Sequence, residues 1–311
     1  MGSLAMNTMT TNKNRKERRP MFNTPQPISV HLELGGVGVI RLVASDRSDT
    51  AVEVRPTNPA SKADVAAAER TRVEYSDGQL TVTGPKGWRY YSGWGEWRES
   101  IDVEIAMPAG SRFEGKAGMG TLHCEGQLDE LRFKTGAGEI HAERTGSVTV
   151  RTGFGNVNIE SAAGRAEIST GSGRLEVRRV DGSAAVRNSN GDTWIGDVVG
   201  ELRVNAANGK IAVDRPQSAV FAKTANGDIV LGAVACGEVV AETGWGRVEI
   251  GVANGVPAWL ELYTNHGRVR NELHAASAPE PSEEAVEIRA RTGHGDIMIH
   301  RLLETRAAEE L

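Results

Sequence analysis

Aromatic residues are scarce, at 5% of 311, so rings cannot dominate the core. Cysteine is nearly absent. Cys124 and Cys236 stand alone and far apart, which excludes a disulfide framework and a paired-cysteine metal or redox motif. No run of about 18 apolar residues occurs, so no transmembrane helix is expected. Excess positive charge is missing too. The formal net charge is −5, and nucleic acid is not an expected partner. No apolar segment follows the basic cluster Lys13, Arg15, Lys16, Arg18 and Arg19, so no secretory signal is read and the expected location is the cytoplasm. Residues 1–27 carry no pattern and read as a disordered leader, or as added sequence ahead of a native start at Met21.

Glycine, in contrast, is abundant, at 37 residues. It is also periodic. The segments AGMGTL from Ala117, TGAGEI from Thr135, TGFGNV from Thr152 and TGSGRL from Thr170 begin a series. NSNGDT from Asn188, AANGKI from Ala206, TANGDI from Thr224 and TGWGRV from Thr243 continue it, and TNHGRV from Thr264 and TGHGDI from Thr292 end it. Their last glycines are separated by 18, 17, 18, 18, 18, 18, 19, 21 and 28 residues. Glycine and asparagine reach positive φ at low cost, so G-x-G and A-N-G are two solutions to one tight corner. A second corner is marked half a period away by Gly146, Gly164, Gly182 and Gly200.

Between corners the pattern alternates, as in Arg-Leu-Glu-Val after Gly173 and Lys-Ile-Ala-Val after Gly209. Alternation with period two marks half-buried strands. One such repeat cannot bury its apolar face, but stacked repeats can. The expected fold is all-β: a right-handed β-solenoid-like stack of about ten repeats of ~18 residues, with two short strands per coil. At a strand spacing of ~4.8 Å the rod is ~48 Å long. Two facing sheets of hairpins also satisfy the periodicity. The expected organisation is an N-terminal cap of strands, one short helix and an aromatic loop over 28–110, repeats over 111–301, and a tail over 302–311. The helix is expected over Ser61–Arg70, with Ser61 as N-cap, and a hairpin around Asp77-Gly78.

These residues resemble a known family. The strand and turn AMPAGSRFEGKAGMGTL from Ala106, the serial TGxGxI units and the closing TGHGDIMI from Thr292 are similar to the bacterial β-strand-repeat family called Toastrack, of unknown function and labelled as adhesin-like. The resemblance spans roughly Ile28 to Arg301. It implies a β-solenoid-like fold, no known enzymatic activity and no catalytic residues to carry over. Some relatives sit beside membrane-stress components, and the adhesin label implies a surface role.

No motif here specifies a cofactor. A dinucleotide site needs its glycines to open a helix, whereas Gly136-Ala-Gly138 leads into the strand Glu-Ile-His-Ala. Neither a cofactor, a metal site nor a catalytic residue is expected. After the corner glycine stand Glu139, Asn156, Arg174, Asp192, Lys210, Asp228 and Arg247, alternating in sign from Arg174 onward, as a stacked charge ladder would.

Three surfaces are candidate binding sites. The segment 84–100 holds Trp88, Arg89, Tyr90, Tyr91, Trp94 and Trp97 among glycines. Exposed, these residues make a binding hot spot; folded back, they cap the rod. A basic face is expected from Arg132, Lys134, Arg151, Arg187, Arg203 and Lys223. The corner tips carry Phe154, Trp245, His266 and His294, an apolar contact patch on turns. The expected function is a non-enzymatic scaffold that presents the aromatic loop and the basic face to a protein partner or to another copy of itself. The alternatives are a module for glycan or anionic lipid, linked to cell-envelope stress, and a carbohydrate-active β-helix enzyme.

Overall fold

The computed structural model describes residues 19–85, 99–273 and 285–302. Its repeats pair in parallel, one coil on the next. Ala166 stands opposite Ala184, and Ala184 opposite Leu202; on the other strand Leu175 stands opposite Thr193, and Thr193 opposite Ile211. The step of 18 residues in the sequence is thus one rung of a β-solenoid. Hairpin sheets would pair antiparallel, so the parallel register removes that alternative for the repeats. The inward positions are those the alternation names: Leu131, Phe133, Ile140, Val148, Val150, Val157, Ile159, Ile168, Leu175 and Val177 are buried, as are Val186, Leu202, Val204, Ile211, Val213, Ile229, Leu231, Val248, Ile250, Ile297 and Ile299.

One coil shows the construction. Strand Ala166–Ser172 runs to a corner at Gly173, whose φ is +148°. A Cβ there would lie 2.2 Å from the carbonyl oxygen of Gly155 in the coil below, so both conformation and spacing demand glycine. Strand Leu175–Val180 follows, and its exposed pair Arg178-Arg179 interrupts the alternation before buried Val180. The chain bends there, at a third corner. The last corner, at Gly182, leaves a Cβ only 2.6 Å from the Gly164 backbone.

Under the first corner runs a column of buried threonines. Thr243 Oγ1 donates to the Gly227 carbonyl at 2.9 Å, and Thr292 Oγ1 to the Gly246 carbonyl at 2.9 Å. These bonds occupy carbonyls that would otherwise be orphaned inside the corner.

Coil order in space departs from chain order at both ends. Ser29–Ser45 forms a coil that pairs in parallel with Arg112–Gly126 on one side, and with Gln79–Thr83 and Ile101–Pro108 on the other. Beyond these lie antiparallel strands Asp49–Pro56, Met21–Asn23 and Arg72–Ser76. Helix Lys62–Arg70 is capped by the Ser61 side chain, which accepts from the Asp64 N–H. Buried Asp64 in turn accepts from the Asn58 and Ser100 N–H groups, both at 3.1 Å. At the far end, Val286–His294 and Ile297–Arg301 stack directly on Glu238–Trp245 and Val248–Val252. Ala258–His266 and Val269–Asn271, earlier in the chain, stack outside them as the terminal coil. The long final spacings in the glycine series are this detour.

Candidate functional site

The outward side of the first strand in each coil forms a ruled face. Parallel register stacks every outward position into a column with rungs ~4.8 Å apart. One column reads Lys134, Arg151, Ser169, Arg187, Asn205 and Lys223, then Glu242, Arg291 and Tyr263. Arg132 and Arg203 lie two residues earlier, in the neighbouring column. All six basic residues singled out in the sequence therefore share one face, but they are not equivalent. Arg132 meets Glu130 at 2.5 Å, Lys223 meets Glu242 at 2.8 Å, and Arg203 pairs with Glu201 while lying 4.6 Å over the Phe221 ring. Lys134, Arg151 and Arg187 have no carboxylate partner among the described residues. Lys134 and Arg151 are on adjacent rungs, with Arg187 two rungs further.

The corner tips make a second column. Phe154 is 66% exposed, and above it stand Ser172, Asn190, Asn208 and Asn226. The asparagines form a ladder: Asn226 Nδ2 donates to Asn208 Oδ1 at 2.9 Å, and Asn208 Nδ2 to Asn190 Oδ1 at 2.9 Å. The ladder passes into a ring stack. The Trp245 and His294 rings stack nearly parallel with centroids 3.8 Å apart, and the His294 and His266 centroids lie 4.5 Å apart. Chain order would place His266 next to Trp245, but the inserted coil puts His294 between them. No group of three metal-ligating side chains occurs among the described residues.

Trp88, Arg89, Tyr90, Tyr91, Trp94 and Trp97 lie outside the described residues. Cys124 is fully buried, and burial pushes its thiol up to about 12, so it serves as core and not as a nucleophile.

Two depressions on the surface of the described residues bear on function. One, of about 800 Å³, lies over the third corner and is filled with internal pairs. Arg178 meets Glu160 at 2.7 Å, Arg215 meets Asp197 at 2.6 Å, and Trp194 Nε1 donates to Asp214 at 3.2 Å. The other, of about 580 Å³, lies on the ruled face toward the terminal coil, with Asn205, Lys223, Glu242, Tyr263, Asn265 and Arg291 on its sides. Tyr263, Asn265 and Arg291 escape a reading in sequence order, because the displaced coil hides their column. No helix among the described residues is long and apolar enough to cross a membrane.

The family model described as Toastrack DUF4097 matches residues 39–300. No curated protein matches the chain significantly. Among solved structures, a Parabacteroides merdae protein described as a "putative adhesin" is 11% identical, with a TM-score of 0.41 over 93% of this chain and 98% of that one. A Parabacteroides distasonis "putative lipid binding protein" is 11% identical, with a TM-score of 0.34 over 93% and 98%. A Clostridium sporogenes "putative cell adhesion protein" is 12% identical, with a TM-score of 0.27 over 92% and 100%.

Proposed function

The chain belongs to the Toastrack DUF4097 family, and from that premise we propose that it is a non-enzymatic binding module whose ruled face meets an acidic protein surface along Lys134, Arg151 and Arg187. The observation that carries this reading is the selective neutralisation of the face. Three of its six cations are occupied by carboxylates, whereas these three, in one column, are not. Like charges on adjacent rungs repel, and an acidic partner relieves that repulsion on docking. The rigid spacing of the rungs fixes the backbone positions of the charges before the partner arrives, so docking orders side chains but little backbone. The depressions also support a non-enzymatic role: both are open, and the carboxylates lining them are engaged in ion pairs or hydrogen bonds.

The test compares the full chain with the Lys134→Ala/Arg151→Ala/Arg187→Ala variant on immobilised polyglutamate and on phosphatidylglycerol vesicles, as salt is raised. Salt-sensitive binding to polyglutamate, weakened at least roughly tenfold in the variant, is expected for three lost exposed contacts. Binding to the vesicles alone would replace the protein partner with an anionic lipid. Equal binding by both chains would remove the face from the function.

A further inference from the structure

We infer that the 580 Å³ groove at the far end of the ruled face is a binding site for a neutral saccharide chain. This site is separate from the Lys134–Arg187 column, and the inference does not rest on the acidic-partner reading.

The groove's charge is already balanced. Lys223 is held by Glu242 at 2.8 Å, and Arg291 by Glu261 at 2.6 Å, so the cations at this end are spoken for and a polyanion gains little here. What remains uncommitted is neutral. The Asn205 and Asn265 amides and the Tyr263 hydroxyl line the groove without a side-chain hydrogen bond among the described residues. Each offers donors, acceptors or both. Tyr263 is 59% exposed, and its ring offers an apolar platform beside these polar groups. A ligand that matches them has an apolar face for the ring and several hydroxyls for the amides, which is the chemistry of a sugar ring.

The groove's floor admits such a ring. Ala225, Gly244 and Gly293 occupy successive rungs there, bringing the ligand down to the backbone. A Cβ on Gly293 would lie 2.6 Å from the Gly244 carbonyl oxygen, so the glycine belongs to the close stacking of the coils and the low floor follows from it. The groove crosses several rungs, so an extended chain of rings fits it better than a single compact ligand. Its open shape excludes an enclosed apolar cofactor.

The experiment presents the full chain to an array of neutral oligosaccharides: β-1,4-linked glucose, β-1,4-linked N-acetylglucosamine and α-linked mannose oligomers. The affinity of the best binder is then titrated at low and high salt. Binding indifferent to salt is expected, because no net charge is involved. Tyr263→Ala should weaken it about tenfold, the loss of one aromatic platform, and Asn265→Ala should weaken it as well. Trp259 is 65% exposed on the same strand but does not line the groove, so Trp259→Ala should bind as the unaltered chain does. Matched melting curves establish that the variants fold. The inference is overturned if no saccharide binds, if Tyr263→Ala leaves binding unchanged, or if Trp259→Ala weakens it equally. The Lys134/Arg151/Arg187 variant should keep this binding, which separates failure of the groove from failure of the basic column.

Discussion

At the scale of single residues, the stack is governed by what each column tolerates. The corner column accepts a residue that closes a carbonyl from inside, and threonine does so with one hydroxyl. Two members of the column lack that hydroxyl, Ala206 and, as the polar one, Asn188. Asn188 Nδ2 reaches the Gly173 and Gly191 carbonyls at 3.1 and 2.9 Å, but its Oδ1 is buried without a partner among the described residues. Thr193 sits beside it, where neighbouring coils place Leu175 and Ile211, and its hydroxyl is 3.3 Å from Asn188 Nδ2. A buried acceptor left unmade costs about 1–3 kcal/mol. The double substitution Asn188→Thr/Thr193→Ile restores the column's chemistry and should raise stability by at least about 1 kcal/mol, seen as a higher melting temperature. A lower one would mean that the polar pair contributes more than the column alone implies.

At the scale of the coil, charge and ring columns are coherent only in spatial order. The position after the corner glycine alternates Asp228, Arg247, Asp296, Arg268 along the rod, whereas chain order would set Arg247 beside Arg268. The acidic members also bond to the next coil. Asp192 accepts the Lys210 N–H at 2.9 Å, Asp228 that of Arg247 at 2.8 Å, and Asp296 that of Arg268 at 2.9 Å. The ring stack gives the sharper test. A double-mutant cycle of Trp245→Ala with His294→Ala should show a coupling of roughly 0.5–1.5 kcal/mol. The cycle of Trp245→Ala with His266→Ala should show almost none, because His294 stands between them. The reverse pattern would place the coils in chain order.

At the scale of the molecule, the rod is quasi-one-dimensional: each coil is held mainly by its two neighbours. The N-terminal end is covered by antiparallel strands and the helix. At the other end, the terminal coil leaves Trp259 and Val269 exposed and Leu260 and Leu262 only half buried. A coil with one neighbour opens at lower free energy than a coil with two. Hydrogen exchange should therefore be slowest in the middle coils, from Ala166 to Asn208, and fastest in Ala258–His266 and Val269–Asn271. Uniform protection would show that the far end is covered in solution.

The repeat, the corners and the inward residues were legible in the chain, because a glycine at positive φ and a period of two are local requirements that each coil states again. The basic column was legible for the same reason: constant spacing carries outward positions into line. Three things needed the folded molecule. Which cations stay free depends on side-chain reach: Glu201 and Glu242 stand at the repeat's own spacings from Arg203 and Lys223, but only the folded side chains show that they pair. The third corner rests on Arg178-Arg179, two exposed residues that read locally as a lapse in alternation. The order of the end coils is decided by pairing between distant segments, Ser29–Ser45 with Arg112–Gly126 and Val286–His294 with Glu238–Trp245. Every repeat offers nearly the same edge, so local pattern leaves the choice of neighbour open. Stacking, charge alternation and burial across the whole rod select it.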